Sequence, residues 1–541
     1  MFVQETTSRR GKKTYTSYLV RESFRTTKGP RSRTVCNVTG LAENVRNLIA
    51  RALRGETLIP SDALALNGAF DCGGLVVLEA AWNRYGLDEV FGKIGTSRQR
   101  ALVKAMIFGR LLFPSSKLAL HEHAEGTLLA KACGLEPDED FDEDDLYDAM
   151  DAMNGEWVSL EKALYAKAFQ RPVQLVLYDL TSVYFEGKGP FGIGRYGHSR
   201  DHREDRPQVL LAVATDEEGL PIHIEVLRGN RADNTTLQGL LTNLHRRFGI
   251  REATFVFDGG MSSRLNLETM TRDSLIFVTR LSSATLRALL EATGIELQME
   301  LGDSNRVMEI EHEGKRYVIA GGEWRRQRDL ERRTARIVKG EVALAKLAEA
   351  KRRKVDAQKL ASQAGRALER VKAHKYFTYR VDETGKLTWT RKAEIIEQET
   401  SLDGWYLLRT NATPQNLSAE QTLARYKGLL EVEDAFKEVK SYLEVRPVFH
   451  YRPDRVRNHA RLCFLAYWIS ARLGKEWRML DQRGEVPRIL RRLQKIRVGV
   501  LQVNGTTVRT ALTQIPKPLN DLLAELGLLR LFASPPEWAS S

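Results

Sequence analysis

The spacing of hydrophobic and polar positions changes several times along the chain. Short alternating runs near the start, such as Tyr15 to Val20, are mixed with Gly, Lys and Arg and predict a small, basic, partly stranded region. From about residue 60 to 170, apolar side chains recur every three or four residues, as in a helix that buries one face. Examples of this spacing are Leu75, Leu78, Ala81, Trp82 and Tyr85. We therefore expect a helical region after the basic start.

The segment that begins near residue 172 contains short, β-rich apolar runs separated by turn-forming residues. Its predicted elements are three strands, a helix and a fourth strand, in the order Val173 to Leu177, Gln208 to Ala214, Pro221 to Leu227, residues 235–248, and Ala253 to Phe257. A fifth strand is predicted at Leu275 to Thr279. This order is the one expected of an RNase H-like core, so we predict an α/β fold of that class.

The regular order breaks after the fifth strand, where a mixed segment is interpreted as an insertion into the core. A long, charged helical tract runs from Trp324 to Lys372, and strand-like runs flank it at Val307 to Glu311, Tyr317 to Ala320 and Tyr376 to Val381. Because the tract lacks sustained apolar heptads, we expect a projecting helical hairpin and not a coiled-coil dimer. Trp405 to Arg409 is expected to return the chain to the core.

These patterns divide the chain into six predicted regions. They are a small basic N-terminal β-containing region (1–60), a helical, DNA-binding N-terminal domain (61–170), the first part of the RNase H-like core (171–290), the mixed β and long-helix insertion (291–400), the second part of the core with the catalytic helix (401–475), and a C-terminal region (476–541).

Charge and cysteine usage narrow the class of protein. Lys and Arg number 83 against 70 Asp and Glu, and the resulting net charge of +13 favours a polyanionic partner such as nucleic acid. The four cysteines lie far apart without CxxC spacing, which argues against a zinc ribbon or a disulfide scaffold. No apolar run approaches the roughly 18 to 20 residues of a membrane helix. The sequence therefore predicts a cytoplasmic protein without a membrane partner.

Two aspartates follow predicted buried strands, and a glutamate lies on a later helix. Asp179 follows the first strand of the predicted core, and Asp258 follows the fourth. The helix carrying Glu433 is predicted from a capping box at Ser418 and Gln421 to about Leu443. Carboxylates brought together from distant elements in this way are suited to binding divalent metal ions.

One edge of that helix combines the acid with phosphate-binding groups. Tyr426, Glu433 and Lys440 are seven residues apart and fall on one stripe, with Lys437 beside them. The carboxylate can bind a metal ion while its neighbours contact phosphate oxygens. Glu431 is the rival acid, but it lies about 160° around the helix from Glu433 and off this stripe.

At these positions the chain resembles the DDE transposases of bacterial insertion sequences, in particular the superfamily named after insertion sequence four. The signature of that superfamily is Tyr-x2-Arg-x3-Glu-x6-Lys, and Tyr426, Glu433 and Lys440 match it, while Leu429 stands at the Arg position. Further segments are similar to the branch of long enzymes: Asp179-Leu180-Thr181-Ser182, Gly197-His198-Ser199-Arg200-Asp201-His202, Phe257-Asp258-Gly259-Gly260-Met261-Ser262-Ser263 and Arg446-Pro447-Val448-Phe449-His450.

The resemblance implies an enzyme that binds the terminal inverted repeats of a mobile element and then cleaves DNA and joins it to a target. It implies that Asp179, Asp258 and Glu433 hold two Mg²⁺ or Mn²⁺ ions, which activate the nucleophile and stabilise the leaving oxygen. It also implies a homodimer in the synaptic complex, because two DNA ends are brought together. Within the insertion, Trp324 is a candidate for stacking on a flipped base; the alternative is a tryptophan packed beneath the insertion.

Several other groups are candidates for DNA contact. In addition to Trp324, the predicted DNA-binding residues are Tyr426, Lys437, Lys440, Arg200, His202, Arg325 and Arg328. Arg200 and His202 lie in a polar, arginine-rich loop that contacts DNA or serves its own folding; a zinc site at His198, Asp201 and His202 is the less favoured interpretation. Arg325 and Arg328 belong to a basic run that contacts end phosphates or forms a solvated helix face; its members are Arg325, Arg326, Arg328, Arg332, Arg333 and Arg336.

Two alternative functions stay open beside the active transposase. One is a non-catalytic DNA-binding descendant that keeps the fold, and the other is an RNase H-like metal-dependent nuclease that cuts without joining. The acidic cluster from Glu136 to Asp148 is interpreted as a solvated linker and helix start and not as a metal site, because its carboxylates are local and numerous.

Overall fold

The structure is a computed structural model that describes residues 1–27, 29–56, 58, 63–125, 127–135, 141–297, 306–350, 356–478, 486–503 and 506–539. In these ranges, no helix is both long enough and apolar enough to cross a membrane. The strands are β1 (Phe2–Arg10), β2 (Lys13–Thr26), β3 (Gly29–Asn37), β4 (Leu64–Asp71), β5 (Leu175–Tyr184), β6 (Gln208–Thr215), β7 (Pro221–Arg228), β8 (Thr254–Phe257), β9 (Ile276–Arg280), β10 (Arg306–His312), β11 (Lys315–Gly321), β12 (Phe377–Val381), β13 (Leu387–Arg391), β14 (Trp405–Thr410), β15 (Arg497–Val503) and β16 (Thr506–Leu512).

Helices precede, separate and follow these strands along the chain. They are α1 (Glu43–Leu53), α2 (Gly73–Arg84), α3 (Leu87–Phe91), α4 (Ser97–Leu112), α5 (Lys117–Glu125), α6 (Leu129–Ala132), α7 (Glu143–Asp151), α8 (Trp157–Ala168), α9 (Leu237–Phe248), α10 (Arg264–Arg272), α11 (Ser283–Thr293), α12 (Glu323–Glu349), α13 (Ala357–Arg370), α14 (Ala393–Thr400), α15 (Ala419–Lys427), α16 (Leu429–Ser441), α17 (Pro453–Arg478), α18 (Val486–Leu493) and α19 (Lys517–Glu525).

The largest sheet is mixed and, over the described residues, contains eight strands in the order β10-β11-β14-β9-β8-β5-β6-β7. Strand β5 pairs antiparallel with β6 and parallel with β8, and β8 pairs parallel with β9. The prediction of a mixed α/β protein is confirmed. The five strands predicted between residues 172 and 280 all form, and they are neighbours in this sheet.

Both faces of the central strands are buried, which explains why these strands are apolar runs without polar alternation. All eight residues of β6 are buried. On one face, Val176 and Phe255 pack in a core with Leu240 of α9. On the other face, Leu177 and Val256 pack in the core that includes α16 and α17.

Two element boundaries differ from the predicted ones near the acids. Strand β5 continues to Tyr184, so Asp179 lies inside the strand and not at its end. The helix predicted from Ser418 to Leu443 is interrupted at Gly428, which separates α15 from α16. The predicted capping box is present, since the Ser418 hydroxyl accepts the Gln421 N–H at 3.2 Å and the Gln421 side chain accepts the Ser418 N–H at 2.9 Å.

The segment predicted as an insertion contributes to the central sheet as well as projecting from it. Strands β10 and β11 pair with each other, and β11 pairs with β14, so both belong to the eight-stranded sheet. Beyond them, α12 and α13 share a core with β12 and β13. The two long helices of the predicted hairpin are thus present, and residues 351–355 between them lie outside the described residues.

A buried ion pair attaches this projection to the sheet. The Arg333 guanidinium donates to both Asp403 carboxylate oxygens, at 2.6 and 2.5 Å. Arg333 lies on α12, and Asp403 lies two residues before β14. The sequence predicts Arg333 within an exposed basic run; the structure instead buries it, because a bidentate carboxylate partner satisfies its charge.

The terminal regions form two smaller sheets. Strands β1, β2 and β3 form an antiparallel sheet, and Arg46 of α1 lies over the Tyr18 ring, 4.0 Å from its centre. Strand β4, which precedes the helical region, pairs with β15 from the C-terminal region. In the acidic cluster, Asp142 caps α7 by accepting the Asp145 N–H at 2.9 Å, so the predicted helix start is confirmed; residues 136–140 lie outside the described residues.

Candidate active site

Asp179 and Asp258 occupy equivalent positions on neighbouring parallel strands. The register of β5 and β8 pairs Tyr178 with Phe257, so the next residue along each chain is an aspartate. Neighbouring strands lie about 4.8 Å apart. Side chains alternate between the two faces, and Tyr178 and Phe257 belong to the core beneath α9. Both aspartates therefore lie on the opposite face, the one that α16 covers.

Glu433 approaches the same face from α16. The buried stripe of this helix, which includes Val432, Phe436 and Val439, packs in the same core as Leu177 and Val256. Glu433 and Asp258 are exposed, and Asp179 is partly buried. The three predicted acids thus come from three elements of the fold to one side of the sheet, where solvent reaches them.

The electrostatics of the acids reflect this proximity. Burial, with smaller contributions from the charges of Asp258 and Glu433, raises the pKa of Asp179 to about 7, against the opposing effects of a hydrogen bond from the Leu180 backbone and the charge of Arg200. Burial and the Asp258 charge also raise the pKa of Glu433 above its ordinary value. Among the described residues, no three Asp, Glu, His or Cys side chains stand close enough to form a metal-binding group. The three carboxylates are therefore near enough for their charges to raise the pKa values of Asp179 and Glu433. They are not near enough, as placed, to share a metal ion.

A basic and aromatic cluster lies beside the acids. The Arg325 guanidinium lies over the Tyr406 ring, 4.4 Å from its centre, and Arg280 lies over the same ring at 5.7 Å. The Tyr426 ring is 5.9 Å from that of Tyr406. Burial and the Asp258 charge raise the pKa of Tyr426 to about 12, while a hydrogen bond with Arg280 opposes the shift. The predicted residues Tyr426 and Arg325 thus meet at one place.

Arg280 is a member of this cluster that sequence reasoning missed. It is the last residue of β9, the strand next to β8, so it comes out at the edge of the sheet near Asp258. The predicted strand ends one residue earlier. A basic residue directly after a strand that neighbours an acid-bearing strand was the available signal.

The first turns of α12 present two more predicted residues to solvent. The Trp324 side chain is 73% exposed, and the Arg328 guanidinium lies 5.1 Å from the centre of its ring. The interpretation of Trp324 as a residue packed beneath the insertion is therefore wrong, because most of its surface meets solvent. Arg328 also lies near the acids, since its charge counteracts the rise in the pKa of Glu433.

The arginine-rich loop is tied to the sheet and to α16. The Arg200 guanidinium pairs with Asp233 at 2.7 Å, and its backbone N–H donates to the Ser182 hydroxyl at 2.8 Å. His202 is exposed and has a left-handed backbone, with φ of 56°. Arg200 is therefore held by contacts within the protein, whereas the His202 side chain faces solvent.

Asp201 in the same loop binds two cations from α16 and the segment after it. Lys440 donates to Asp201 at 2.7 Å, and Arg446 pairs with the same oxygen. Lys440 is thus nearly buried and holds the loop in place. Lys437, one turn before it on α16, is exposed. Of the two predicted lysines, the structure leaves Lys437 accessible to a ligand and engages Lys440 internally.

Comparison with known proteins identifies the family to which the chain belongs. The family model described as a transposase DDE domain matches residues 172–469, which is more than half of the chain. The chain belongs to this family. The matched range contains Asp179, Asp258 and Glu433. It also contains the basic and aromatic cluster that lies beside these acids in the transposase. The predicted resemblance to DDE transposases is confirmed at this level.

The other comparisons add little to this assignment. A solved piggyBac transposase, determined by cryo-electron microscopy in a synaptic complex with hairpin DNA, is 10% identical to the transposase with a TM-score of 0.35, covering 79% of this chain and 77% of that chain. A likeness of this strength establishes no shared detail. No curated protein matches the chain.

Proposed function

We propose that this transposase belongs to the insertion-sequence-four superfamily, binds the terminal inverted repeats of its element as a homodimer, and cleaves and transfers DNA strands at an RNase H-like core. Asp179, Asp258 and Glu433 are its catalytic residues. The observation that carries the proposal is that Asp179 on β5 and Asp258, the residue directly after β8, follow paired positions on neighbouring strands, with Glu433 on the helix that covers the same face. The strand order β7-β6-β5-β8-β9, antiparallel and then parallel, supports the RNase H-like assignment.

The chemistry of the three carboxylates suits Mg²⁺ or Mn²⁺, and the proposal is that they hold two such ions. Carboxylate oxygens are the ligands these ions prefer, and a divalent cation relieves the charge that raises the pKa values of Asp179 and Glu433. In this proposal, Asp179, Asp258 and Glu433 would have to lie closer together than they do in the structure in order to hold the ions. When bound, the ions supply activation of the attacking oxygen and stabilisation of the leaving oxygen.

The residues around the acids position the DNA strand. Arg280, Arg325, Arg328 and Lys437 offer positive charge to phosphate oxygens beside the acids, and Tyr426 lies next to the Tyr406 ring that Arg280 and Arg325 cover. Leu429 is buried where the superfamily signature has arginine, so Arg280 is proposed to supply a guanidinium in its place. Lys440 acts through Asp201 by fixing the loop that carries Arg200 and His202.

Metal-dependent processing of end DNA tests this function. The substrate is a labelled duplex carrying the inverted repeat that flanks the coding sequence, incubated with Mg²⁺ or with a chelator. An active transposase cleaves only with the metal ion and joins a precut end to target DNA. A non-catalytic descendant would bind the duplex and leave it intact, and a nuclease would cut without producing joined strands.

Exposed Trp324 is proposed to stack on a base displaced from the duplex. Replacing Trp324 with Ala is expected to weaken binding to single-stranded flank DNA by about 1 to 3 kcal/mol, because one stacking platform is lost. Trp324→Phe should retain most of the affinity. Leu330→Ala, an exposed apolar position on the same helix, is the matched control and should bind as the wild type does. Equal affinity of Trp324→Ala and Leu330→Ala, measured by fluorescence anisotropy, would exclude the stacking role.

The distribution of charge favours the N-terminal sheet as a duplex-binding surface over the helical region predicted for that role. Residues 1–55 contain twelve Lys and Arg against three Asp and Glu, whereas residues 61–170 contain ten against nineteen. Each phosphate neutralised by a cation steepens the salt dependence of DNA binding by roughly 0.9. The exposed cations Arg9, Lys12 and Lys13 adjoin the β1–β2 turn.

Replacing Arg9, Lys12 and Lys13 together with Gln is therefore expected to lower the slope of log affinity against log salt concentration by up to about 2.7. A paired replacement of exposed Lys93 and Lys162 with Gln, both in the helical region, should leave that slope unchanged. A titration of duplex binding from low to high salt measures both slopes. The reverse ranking of the two variants would return the DNA-binding role to the helical region.

A further inference from the structure

A cavity of about 120 Å³ lies beyond the C-terminal end of α16. It is bordered by the end of α4, the start of α5, the segment after α16 and one face of α17. Its volume is far above the roughly 10 to 15 Å³ that one water molecule requires. Most of its polar lining is cationic or can donate hydrogen bonds, and includes Arg110, Ser115, Ser116, Lys117, His450 and His459. The carboxylate in the lining is Glu444, which is exposed.

Two of the lining cations are deeply buried, and neither makes an ion pair with a described residue; the charge of Glu143, which accepts a hydrogen bond from Tyr147, acts on Lys117 from farther away. Lys117 is 5% exposed and Arg110 is 8% exposed. The described contacts of their charged groups are with neutral atoms: Lys117 Nζ lies 3.5 Å from His459 Nδ1, and Arg110 donates to the Leu443 carbonyl at 3.4 Å. A buried charge without a direct ion-pair partner is unfavourable, so an anion bound between these two side chains would stabilise both.

The positive charges around the cavity affect the pKa values of its two histidines. His459 Nε2 lies 3.1 Å from the Val445 carbonyl and therefore carries the proton, which leaves Nδ1 to accept from Lys117. Burial, together with the charges of Lys117 and Arg110, lowers the pKa of His459 well below its ordinary value and lowers that of His450 to about 3. Burial and the Arg110 charge lower the pKa of Lys117 to about 7. A bound anion would oppose the part of each shift that comes from the neighbouring positive charges.

We propose that this cavity binds a phosphate-class oxyanion between Lys117 and Arg110. Two cations supply the charge, and the Ser116 hydroxyl, which already accepts the Ala119 N–H at 3.1 Å, has its own proton free to donate. The oxyanion also meets the first turn of α5, where backbone N–H groups favour negative charge.

The source of the oxyanion in the working enzyme is a phosphate group of DNA, an assignment that rests on the proposed function. Arg446 lines the cavity and also pairs with Asp201, the residue that holds Lys440 of α16. The cavity is thus joined by direct contacts to the helix that carries Glu433. A phosphate held here would anchor a strand beyond the C-terminal end of the helix that carries Glu433.

Thermal unfolding with inorganic phosphate tests the site without DNA, metal ions or catalysis. Sodium phosphate is compared with sodium chloride at equal ionic strength for the wild type, Lys117→Met and the control Lys162→Met, an exposed lysine on α8. Phosphate should raise the Tm of the wild type and of the control, because a ligand of the folded state stabilises it. Lys117→Met should lose that shift and should be at least as stable as the wild type in chloride, since a buried unpaired ammonium is removed.

An equal phosphate shift in all three proteins, or none in the wild type, would overturn the site. If Lys117→Met does not fold, Arg110→Met is judged by the same criterion. The salt dependence of binding to a random-sequence duplex then identifies the source: a slope lower by about one in Lys117→Met assigns the cavity to a DNA phosphate. An unchanged slope with a lost phosphate shift keeps the oxyanion site and rejects the DNA assignment. Because neither measurement needs cleavage, failure here is separable from failure of the proposed catalysis.

Discussion

Glu433→Gln and Asp258→Asn are each expected to reduce metal-dependent cleavage of end DNA by about 10³-fold or more. Each exchange replaces a carboxylate with a neutral amide of nearly the same shape, so the fold is kept while a metal ligand is lost. A metal ion contributes several kcal/mol of transition-state stabilisation, and about 4 kcal/mol corresponds to a factor of 10³. Single-turnover cleavage of a labelled end measures the loss.

Glu431→Gln is the matched control, because it makes the same exchange on the same helix. The Cβ atom of Glu431 lies beside Gly219 in the turn between β6 and β7, where a Cβ added to the glycine would be 3.6 Å away. Glu431→Gln should therefore cleave at the wild-type rate. A large loss in Glu431→Gln with activity kept in Glu433→Gln would mean that the wrong glutamate has been assigned.

Mg²⁺ also provides a readout that does not depend on cleavage. It should raise the Tm of the wild-type protein and raise it less in Asp258→Asn, because the ion binds the folded state through these carboxylates. Without metal, both amide variants should unfold at or above the wild-type temperature, since one of three mutually repelling charges is removed. Lower stability of both variants in chelator would contradict this electrostatic account.

The central sheet could be predicted because its local sequence and its environment agree. Strands such as β6, with both faces covered, must be apolar throughout, and that pattern is visible in the sequence. The same logic misplaces the end of β5. A carboxylate at Asp179 interrupts the apolar run and so predicts a strand end, although Leu180 and Val183 continue the strand.

The assignment of strands to the sheet could not be predicted in the same way. Strands β10 and β11 have ordinary strand patterns, but their place beside β14 depends on pairing between segments far apart in the chain. Local periodicity determines which residues form a strand and not which strand becomes its neighbour.

Local sequence patterns likewise identify the acids of the site but not the residues that surround them. Asp179 and Asp258 stand out because each interrupts or ends a buried apolar run, and Glu433 because it falls on a helical stripe. The pairing of Lys440 with Asp201 joins residues 239 positions apart, so no local pattern reveals it. Arg280 was missed for a related reason, since its role depends on the neighbouring strand that carries Asp258.

Glu161→Leu is expected to lower the free energy of unfolding by about 3 to 5 kcal/mol, the typical effect of breaking a buried ion pair by removing one partner. The Glu161 side chain on α8 is fully buried. One of its oxygens lies 2.9 Å from His223 Nδ1 and accepts the Ile224 N–H at 3.2 Å, while the other accepts from Arg247 at 2.8 Å. Strand β7 is the edge strand of the sheet among the described residues. The Glu161 carboxylate therefore accepts a backbone N–H, that of Ile224, for which the described sheet offers no neighbouring strand.

A double-mutant cycle separates the network from simple loss of packing. Glu161→Leu combined with His223→Leu should be less destabilised than the sum of the two single variants, because no buried imidazole is left without its acceptor. Glu252→Leu, the same exchange at an exposed glutamate before β8, should unfold close to the wild type. Denaturant unfolding of these variants and the wild type decides the point: strictly additive losses would show that His223 and Glu161 contribute independently to stability.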